Sequence, residues 1–460
     1  MSDIPNPNPE LMVIGDSLAQ GCRTLSVSDE LCAQSYACLI ARAQGWAFRH
    51  PRLPRPVLFD LEREIRDLSL LGVAGGLRRL RDNLAGWRQD LAGRGPGDLP
   101  AAFDNLAIAG VTIDEMNDLT AGEARTRLQD ELFPKMIGQP IRELFPFVDE
   151  AHLAINTAFV LNPTGAPEWA GLTQLGWVER RRPRRLIAHF GHNDGLYPVG
   201  ADADTRPFDT RYDATLAAYE ATLDRLAALP PEVTLIVIVL YPKIGAVANL
   251  DPHGPRDHHG YAETYRTRFP LPGKELTGRE LRRIDQRIAD FNRAVRWHIA
   301  GLADARRFRI VDAYRILDAY DYKNTYDARR QIAIGDTRID NRYLTGRMRR
   351  VGRPGGPRPP RYEFDHGGLQ SLDGMHLSAV GYAVLACEIM DTLGLDYDRA
   401  KILARALRDE DLISRYNGNI HRLGYLLDTI EDLRPTEQGD EELSFSTMLG
   451  VQGAVFRRDA

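Results

Sequence analysis

The chain has 460 residues, 43% hydrophobic and 27% charged, the balance of a globular protein able to bury a sizeable core. That excludes a wholly disordered, collagen-like or disulfide-stapled chain. A net charge of −5 offers no global basic field for nucleic acid, and 54 arginines against five lysines read as coding bias before they read as anion recognition.

The opening MSDIPNPNPE has neither a basic n-region nor an apolar h-region. No secretory signal is expected from it, and a cytoplasmic location follows. A compact apolar strand is predicted over 11–17, ending in a small-residue turn. A helix over 29–45 follows, with Leu31, Ser35, Leu39 and Ala43 along one face. Further strands are predicted over 103–110, 184–191, 233–240 and 307–314. The run VTLIVIVL at 233–240 is the clearest, being β-branched and bounded by Pro231 and Pro242, and it is far too short to span a bilayer. An amphipathic helix over 277–303 and a last helix over 378–393 complete the pattern. Such alternation predicts an α/β fold around a parallel sheet.

Other stretches do not fit minimal alternation. Residues 61–93 read as two helices broken near 72–76. Residues 249–274 read as a polar loop, and 331–368 as an irregular, mobile connection rich in Pro, Gly and Arg. The simplest organisation is one α/β domain over 1–398 with those three insertions, then a helical extension over 399–460 with an acidic tail segment.

Four short motifs carry chemistry. IGDSLAQG at 14–21 puts Ser17 just after a strand, at the carboxyl edge of the sheet where ligands bind in open α/β folds. Such a serine is a nucleophile candidate, and equally a plain helix cap. NLAIAG ends at Gly110, which can aim its N–H into the crevice or simply make a turn. HFGHND carries Gly191, Asn193 and Asp194; the amide of Asn193 can serve an oxyanion or close an Asx-turn. SLDGMHLSAVGY places Asp373 three residues before His376, a spacing that lets a carboxylate orient an imidazole as general base. Each motif alone has a bland reading. Together, in one chain order and at predicted strand ends, they supply a complete set of parts.

At these residues the chain resembles the SGNH hydrolases, also called the GDSL esterase/lipase family. GDSL matches 15–18, the block-two glycine Gly110, GxND matches 191–194 and DxxH matches 373–376. The resemblance implies a flavodoxin-like three-layer α/β/α sandwich and a serine esterase mechanism. It implies Ser17 as nucleophile, His376 as general base and then acid, and Asp373 as the group that orients the ring. The oxyanion hole would be the Ser17 and Gly110 N–H groups with the Asn193 side chain. No metal or organic cofactor is implied. The spacing departs from the compact family pattern, with 93 residues from Ser17 to Gly110 and 183 from Asn193 to His376. The insertions at those gaps are expected to shape the pocket. There is no GxSxG around Ser17, which argues against an α/β-hydrolase elbow.

The expected partner is a small-molecule or lipid ester, such as an acyl lipid or an O-acetyl carbohydrate, with no nucleic acid and no integral membrane segment. Acyl transfer to an alcohol, or a catalytically silent binding protein on the same fold, are the rivals. Oligomeric state leaves no mark on the sequence.

Weaker signals have bland readings. His253, Asp257, His258 and His259 form a solvated turn more readily than a zinc site. ERRRPRR at 179–185 reads as a solvated basic face. Seven arginines between Arg342 and Arg361 read as a lid for an anionic substrate or as a solvated linker. Cys22, Cys32, Cys38 and Cys387 read as buried or half-buried free thiols, and the five tryptophans, Trp46, Trp87, Trp169, Trp177 and Trp297, as packing residues.

Overall fold

The computed structural model describes residues 4–60, 72–92, 99–139, 141–269, 274–343, 348–351, 361–364, 368–371 and 373–414. Its centre is a four-stranded parallel sheet of β1 (Met12–Gly15), β2 (Arg185–His189), β3 (Leu235–Val239) and β7 (Phe308–Val311), in the order β1-β2-β3-β7. Gly15 pairs with His189, Ala188 with Ile238, and Ile238 with Ile310, so the carboxyl ends of the strands lie side by side.

Strand periodicity divides the core. Met12, Ile14, Leu186, Ala188, Ile236 and Ile238 face one layer, which includes residues of helices Arg206–Ala227 and Gly278–Gly301. Leu11, Val13, Ile187, Val237 and Val239 face the other, which includes Tyr36–Gln44, Ala379–Thr392 and Arg399–Ser414. Burial on both faces is why β1 and β3 are unbroken apolar runs, whereas the edge strand β7 leaves Arg309 exposed. Each such side chain contributes about 1.5–3 kcal/mol. The fold is the expected three-layer α/β sandwich.

The predicted strand over 103–110 is corrected. This segment runs beside β1, with Leu106 N–H donating to Val13 and Ile108 N–H to Gly15, but only one bridge forms, between Val13 and Asn105. The reason is Asn105, whose Oδ1 takes the Ala107 N–H at 3.1 Å and whose Nδ2 donates to the Ala19 carbonyl. The position still matters. With this edge on one side of β1 and β2 on the other, the chain reverses its winding direction at β1, the place where open α/β sheets bind ligands.

Other expectations are corrected too. The helix over 29–45 is two pieces, Asp29–Cys32 and Tyr36–Gln44, because the Ser35 side chain caps the second. Gly75 and Gly76 do not break a helix; they lie inside one running Gly72–Ala92, while residues 61–71 lie outside the described residues. Residues 249–274 carry β4 (Leu250–Arg256) and β5 (Ala262–Thr267) in place of a loop, and β6 (Glu275–Thr277), just beyond, completes a three-stranded antiparallel sheet. Pro252 and Pro255 are tolerated because β4 is an edge strand carrying an irregularity between His253 and Arg256. Within 331–368, β8 (Ile332–Ile334) and β9 (Thr337–Tyr343) form a hairpin. β10 (Met348–Val351) pairs with β11 (Arg361–Phe364), and β12 (Gly368–Gln370) joins β9. Residues 344–347, 352–360 and 365–367 lie outside the description, as does the acidic tail beyond 414.

A third core joins Trp87, Leu128, Leu132 and Phe159 from the helices between β1 and β2 with Phe103 from the segment beside β1. Trp87, Trp169 and Trp177 are buried and Trp46 packs partly buried, but Trp297 is 74% exposed on the outer face of Gly278–Gly301. All four cysteines are free and buried. No helix of the described residues is long and apolar enough to cross a membrane.

Candidate active site

The end of β1 is shaped by a close approach. Gly15 has φ +136°, and a Cβ there would lie 1.8 Å from the His189 carbonyl oxygen, so glycine is required where β1 and β2 converge. Asp16 then caps the short helix Ser17–Gln20, its Oδ1 accepting the Leu18 N–H, and this leaves Ser17 at the first helical position with its hydroxyl above the sheet edge.

The helix Ala379–Thr392 begins where Ser378 accepts the Gly381 N–H, and the turn before it carries Asp373 and His376. His376 Nε2 lies 3.0 Å from Ser17 Oγ, and His376 Nδ1 lies 2.6 Å from Asp373 Oδ2. Asp373 Oδ1 also accepts the Met375 and His376 N–H groups at 2.9 Å and the Ser371 hydroxyl at 3.1 Å. Asp373 is 0% exposed, His376 4% and Ser17 8%, so burial deepens from the serine to the acid. Burial of His376 opposes its charged form, but Cys22 and Asp373 outweigh that and hold the imidazole well above its ordinary value. Burial likewise opposes ionisation of Asp373, and His376 with the two backbone N–H groups reverses the effect, so its carboxyl sits below the ordinary range.

Gly110 has φ +91° with open space where a Cβ would stand. The residue before it is held: Ala109 N–H donates to Gln20 Oε1 at 2.8 Å, and Gln20 exchanges two 2.8 Å amide bonds with Asn156. Asn193 Nδ2 gives one hydrogen to the Val111 carbonyl at 2.9 Å, and a primary amide carries a second. The structure therefore brings Ser17, Asp373 and His376 into one hydrogen-bonded chain, with Asn193 bonded to the backbone just after Gly110.

A family model described as GDSL-like Lipase/Acylhydrolase matches residues 11–389. The chain belongs to that family. No curated protein and no solved structure matches it. All four motif blocks of this GDSL family member fall inside the matched span.

Several residues around the site escaped the sequence reading. Asp16 and His192 form a second acid–imidazole pair, 2.7 Å apart, within motifs whose other residues drew attention. Gln174 bonds both the N–H and the carbonyl of Gly15, at 2.8 and 3.1 Å. His152, on helix Val148–Leu161, is pushed down to about 4 by burial and by nearby His376. The Tyr197 ring centre lies 6.4 Å from that of His376. None of these had a local signal, because each acts across a gap in sequence.

The weaker candidates resolve differently. Among the described residues no three His, Cys, Asp or Glu side chains converge on a metal-sized space, and His253 pairs with Asp251 at 3.2 Å. The solvated face at 179–185 is corrected in part: Arg181 is fully buried, ion-paired with Asp104 and donating to the Phe103 carbonyl. Arg342 pairs with Asp340 at 2.7 Å and stacks on Tyr322. The side chains of the other six arginines up to Arg361 lie outside the described residues.

Proposed function

We propose that this GDSL-family protein is a serine hydrolase that cleaves carboxylic esters through an acyl-enzyme on Ser17. The observation that carries the reading is the continuous chain from Ser17 Oγ to His376 Nε2 and from His376 Nδ1 to Asp373, at 3.0 and 2.6 Å. His376 takes the Ser17 proton as Oγ attacks the ester carbonyl, and Asp373 stabilises the imidazolium without taking the proton itself. The Ser17 and Gly110 N–H groups and the second Asn193 amide hydrogen are the donors for the tetrahedral oxyanion. The imidazolium protonates the departing alcohol. Water, deprotonated by the same ring, then attacks the acyl-enzyme and frees Ser17.

A cavity of about 70 Å³ lies among the residues next to the proposed nucleophile and base. Its lining includes Leu18, Met375 and Leu377, the sequence neighbours of the proposed nucleophile and base, with Ile316, Val384 and Leu385 making the walls apolar. Such a wall favours methylene groups over a sugar ring.

The test is hydrolysis of p-nitrophenyl esters from acetate to palmitate by wild type and Ser17→Ala. The expected result is wild-type turnover whose chain-length profile sizes the acyl pocket, reduced roughly 10⁴-fold or more in the variant, with fluorophosphonate labelling of Ser17 lost alongside. Equal rates in the two proteins would end the proposal.

A further inference from the structure

The helix Arg399–Ser414 lies beyond the family match at 11–389, yet one of its side chains reaches the support of the Asp–His pair. Glu410 is buried, and its Oε1 lies 3.0 Å from Arg23 Nη2 while also accepting the backbone N–H of Ala379. Ala379 opens the helix that directly follows His376. One carboxylate thus ties down two separate segments. Both bonds are charge-assisted, and the second sits at a helix N-terminus where a negative charge is favoured.

Arg23 is 0% exposed and opens a tight turn. Arg23 and Ser26 exchange backbone hydrogen bonds at 3.1 and 2.7 Å, and Thr24 and Leu25 between them have φ of +48° and +55°. This is the pattern of a type I′ turn, which Asn and Gly favour and which Thr and Leu resist. A turn held against its own preference needs external anchors. Arg23 supplies them through Glu410 and through Gln34 Oε1 at 2.7 Å.

The turn delivers two amides to the acid. Leu25 N–H donates to Asp373 Oδ2 at 3.1 Å, the same oxygen that holds His376. Thr24 N–H donates to Ser371 Oγ at 3.0 Å, and that hydroxyl donates to Asp373 Oδ1 at 3.1 Å. Both carboxylate oxygens are thereby oriented from the 23–26 turn, a region distant in sequence from residue 373.

We propose that Glu410 is a positioning residue for the Asp–His pair. Through Arg23 it locks the 23–26 turn onto Asp373, and through Ala379 it fixes the helix behind His376. The C-terminal helix is then part of the catalytic apparatus and not an appendage. The inference rests on the triad reading above.

The experiment compares full-length wild type, Glu410→Gln and the exposed-site control Arg405→Ala on the best p-nitrophenyl ester, with active sites titrated by a fluorophosphonate. Three quantities are read: kcat/KM, the acid limb of its pH profile, and the far-downfield proton resonance of His376 Nδ1–H. That resonance is assigned by its loss in Asp373→Asn. The ring faces Asp373, Cys22, His152 and Tyr197, so a loosened Asp373 alters its surroundings directly. Glu410→Gln is expected to lower kcat/KM roughly 10- to 100-fold, as small misplacement of catalytic groups does. It should also move the acid limb to lower pH and shift the resonance upfield, while Arg405→Ala matches wild type. A folded Glu410→Gln with all three quantities at wild-type values overturns the proposal, and so does a lowered melting temperature with the three unchanged. Should Glu410→Gln not fold, Glu410→Asp, which keeps the charge and shortens the reach, is read the same way. The resonance needs no turnover, so it still decides the positioning role if Ser17→Ala shows that the esterase reading fails.

Discussion

Asp16 Oδ2 takes two hydrogens from His192, the backbone N–H at 3.1 Å and the ring Nδ1–H at 2.7 Å. The residue before the serine is thus tied to the residue before Asn193. Burial opposes ionisation of Asp16, but the His192 ring and backbone N–H reverse that and hold the carboxyl below its ordinary range. The consequence is a fixed spacing between Ser17 and the Asn193 amide, set without either residue touching the other's backbone.

If that clamp sets the spacing, His192→Ala lowers kcat about tenfold and leaves KM nearly unchanged, since the lost alignment matters most in the transition state. The acid limb of the pH profile stays in place, because the clamp is separate from the Asp373–His376 pair. Steady-state kinetics across pH check both statements. A KM effect alone would assign His192 to substrate binding instead.

The pH dependence follows from His376. Its imidazole is held well above its ordinary value of 6.5, and only the neutral ring can accept the Ser17 proton. The acid limb of kcat/KM is therefore expected above pH 6.5, with full activity on the alkaline side. The ring's contribution to stability runs the other way: complete below the unfolded pKa and lost as pH rises through the folded value. Asp373→Asn removes the charge that holds the ring up. It should move the limb to lower pH and reduce kcat roughly 10⁴-fold. A limb that stays put in Asp373→Asn would remove Asp373 from the proposed role.

For the oxyanion hole, Asn193→Ala is expected to cost about 10²- to 10³-fold in kcat with little change in KM. Gly110→Ala is predicted to perturb more than a donor, because φ +91° strains any residue with a Cβ even though space is open there. Ester kinetics on both variants, with circular dichroism to confirm folding, separate donor loss from backbone strain.

Asp194 provides a stability test independent of turnover. Burial pushes its carboxyl up to about 7, against the opposing Ile113 N–H. An acid whose folded pKa is raised holds its proton longer in the folded state, so stability falls as pH rises from the unfolded value towards the folded one. Asp194→Asn is expected to be more stable than wild type by roughly 2 kcal/mol at pH 8, discounted for partial exposure. The difference should shrink as pH falls and vanish at about pH 2.5, well below the unfolded value of 3.8, where both states keep the proton. Urea melts at the two pH values measure it, and a gap that does not change with pH would show that Asp194 is not the titrating group.

The four parallel strands and the helices Gly278–Gly301 and Ala379–Thr392 were legible because both obey local rules, whereas the helix Arg206–Ala227 was not read. Apolar β-branched runs such as 233–240 bury on both faces, and caps such as Thr277 and Ser378 announce the helix that follows. The residues of the four motif blocks were legible for a related reason, since each sits in a short turn at a strand or helix end whose residue types are narrowly constrained. The three-stranded sheet over 250–277 was not, because edge strands admit prolines that forbid an interior strand. Arg181 read as solvated because its partner Asp104 lies far along the chain, and Trp297 read as core although its helix turns it outward.

What the sequence alone determined, then, was the fold class and the positions at which Ser17, Gly110, Asn193, Asp373 and His376 interrupt regular structure. Only the tertiary structure decided that Leu25, Ser371, His192, Gln20 and Asn156 serve those residues, and that Glu410 anchors the turn behind Asp373. The physical reason is range. Strand pairing and capping are written in neighbours, whereas a hydrogen bond between distant segments depends on where the packed layers bring them and leaves no periodicity in the chain.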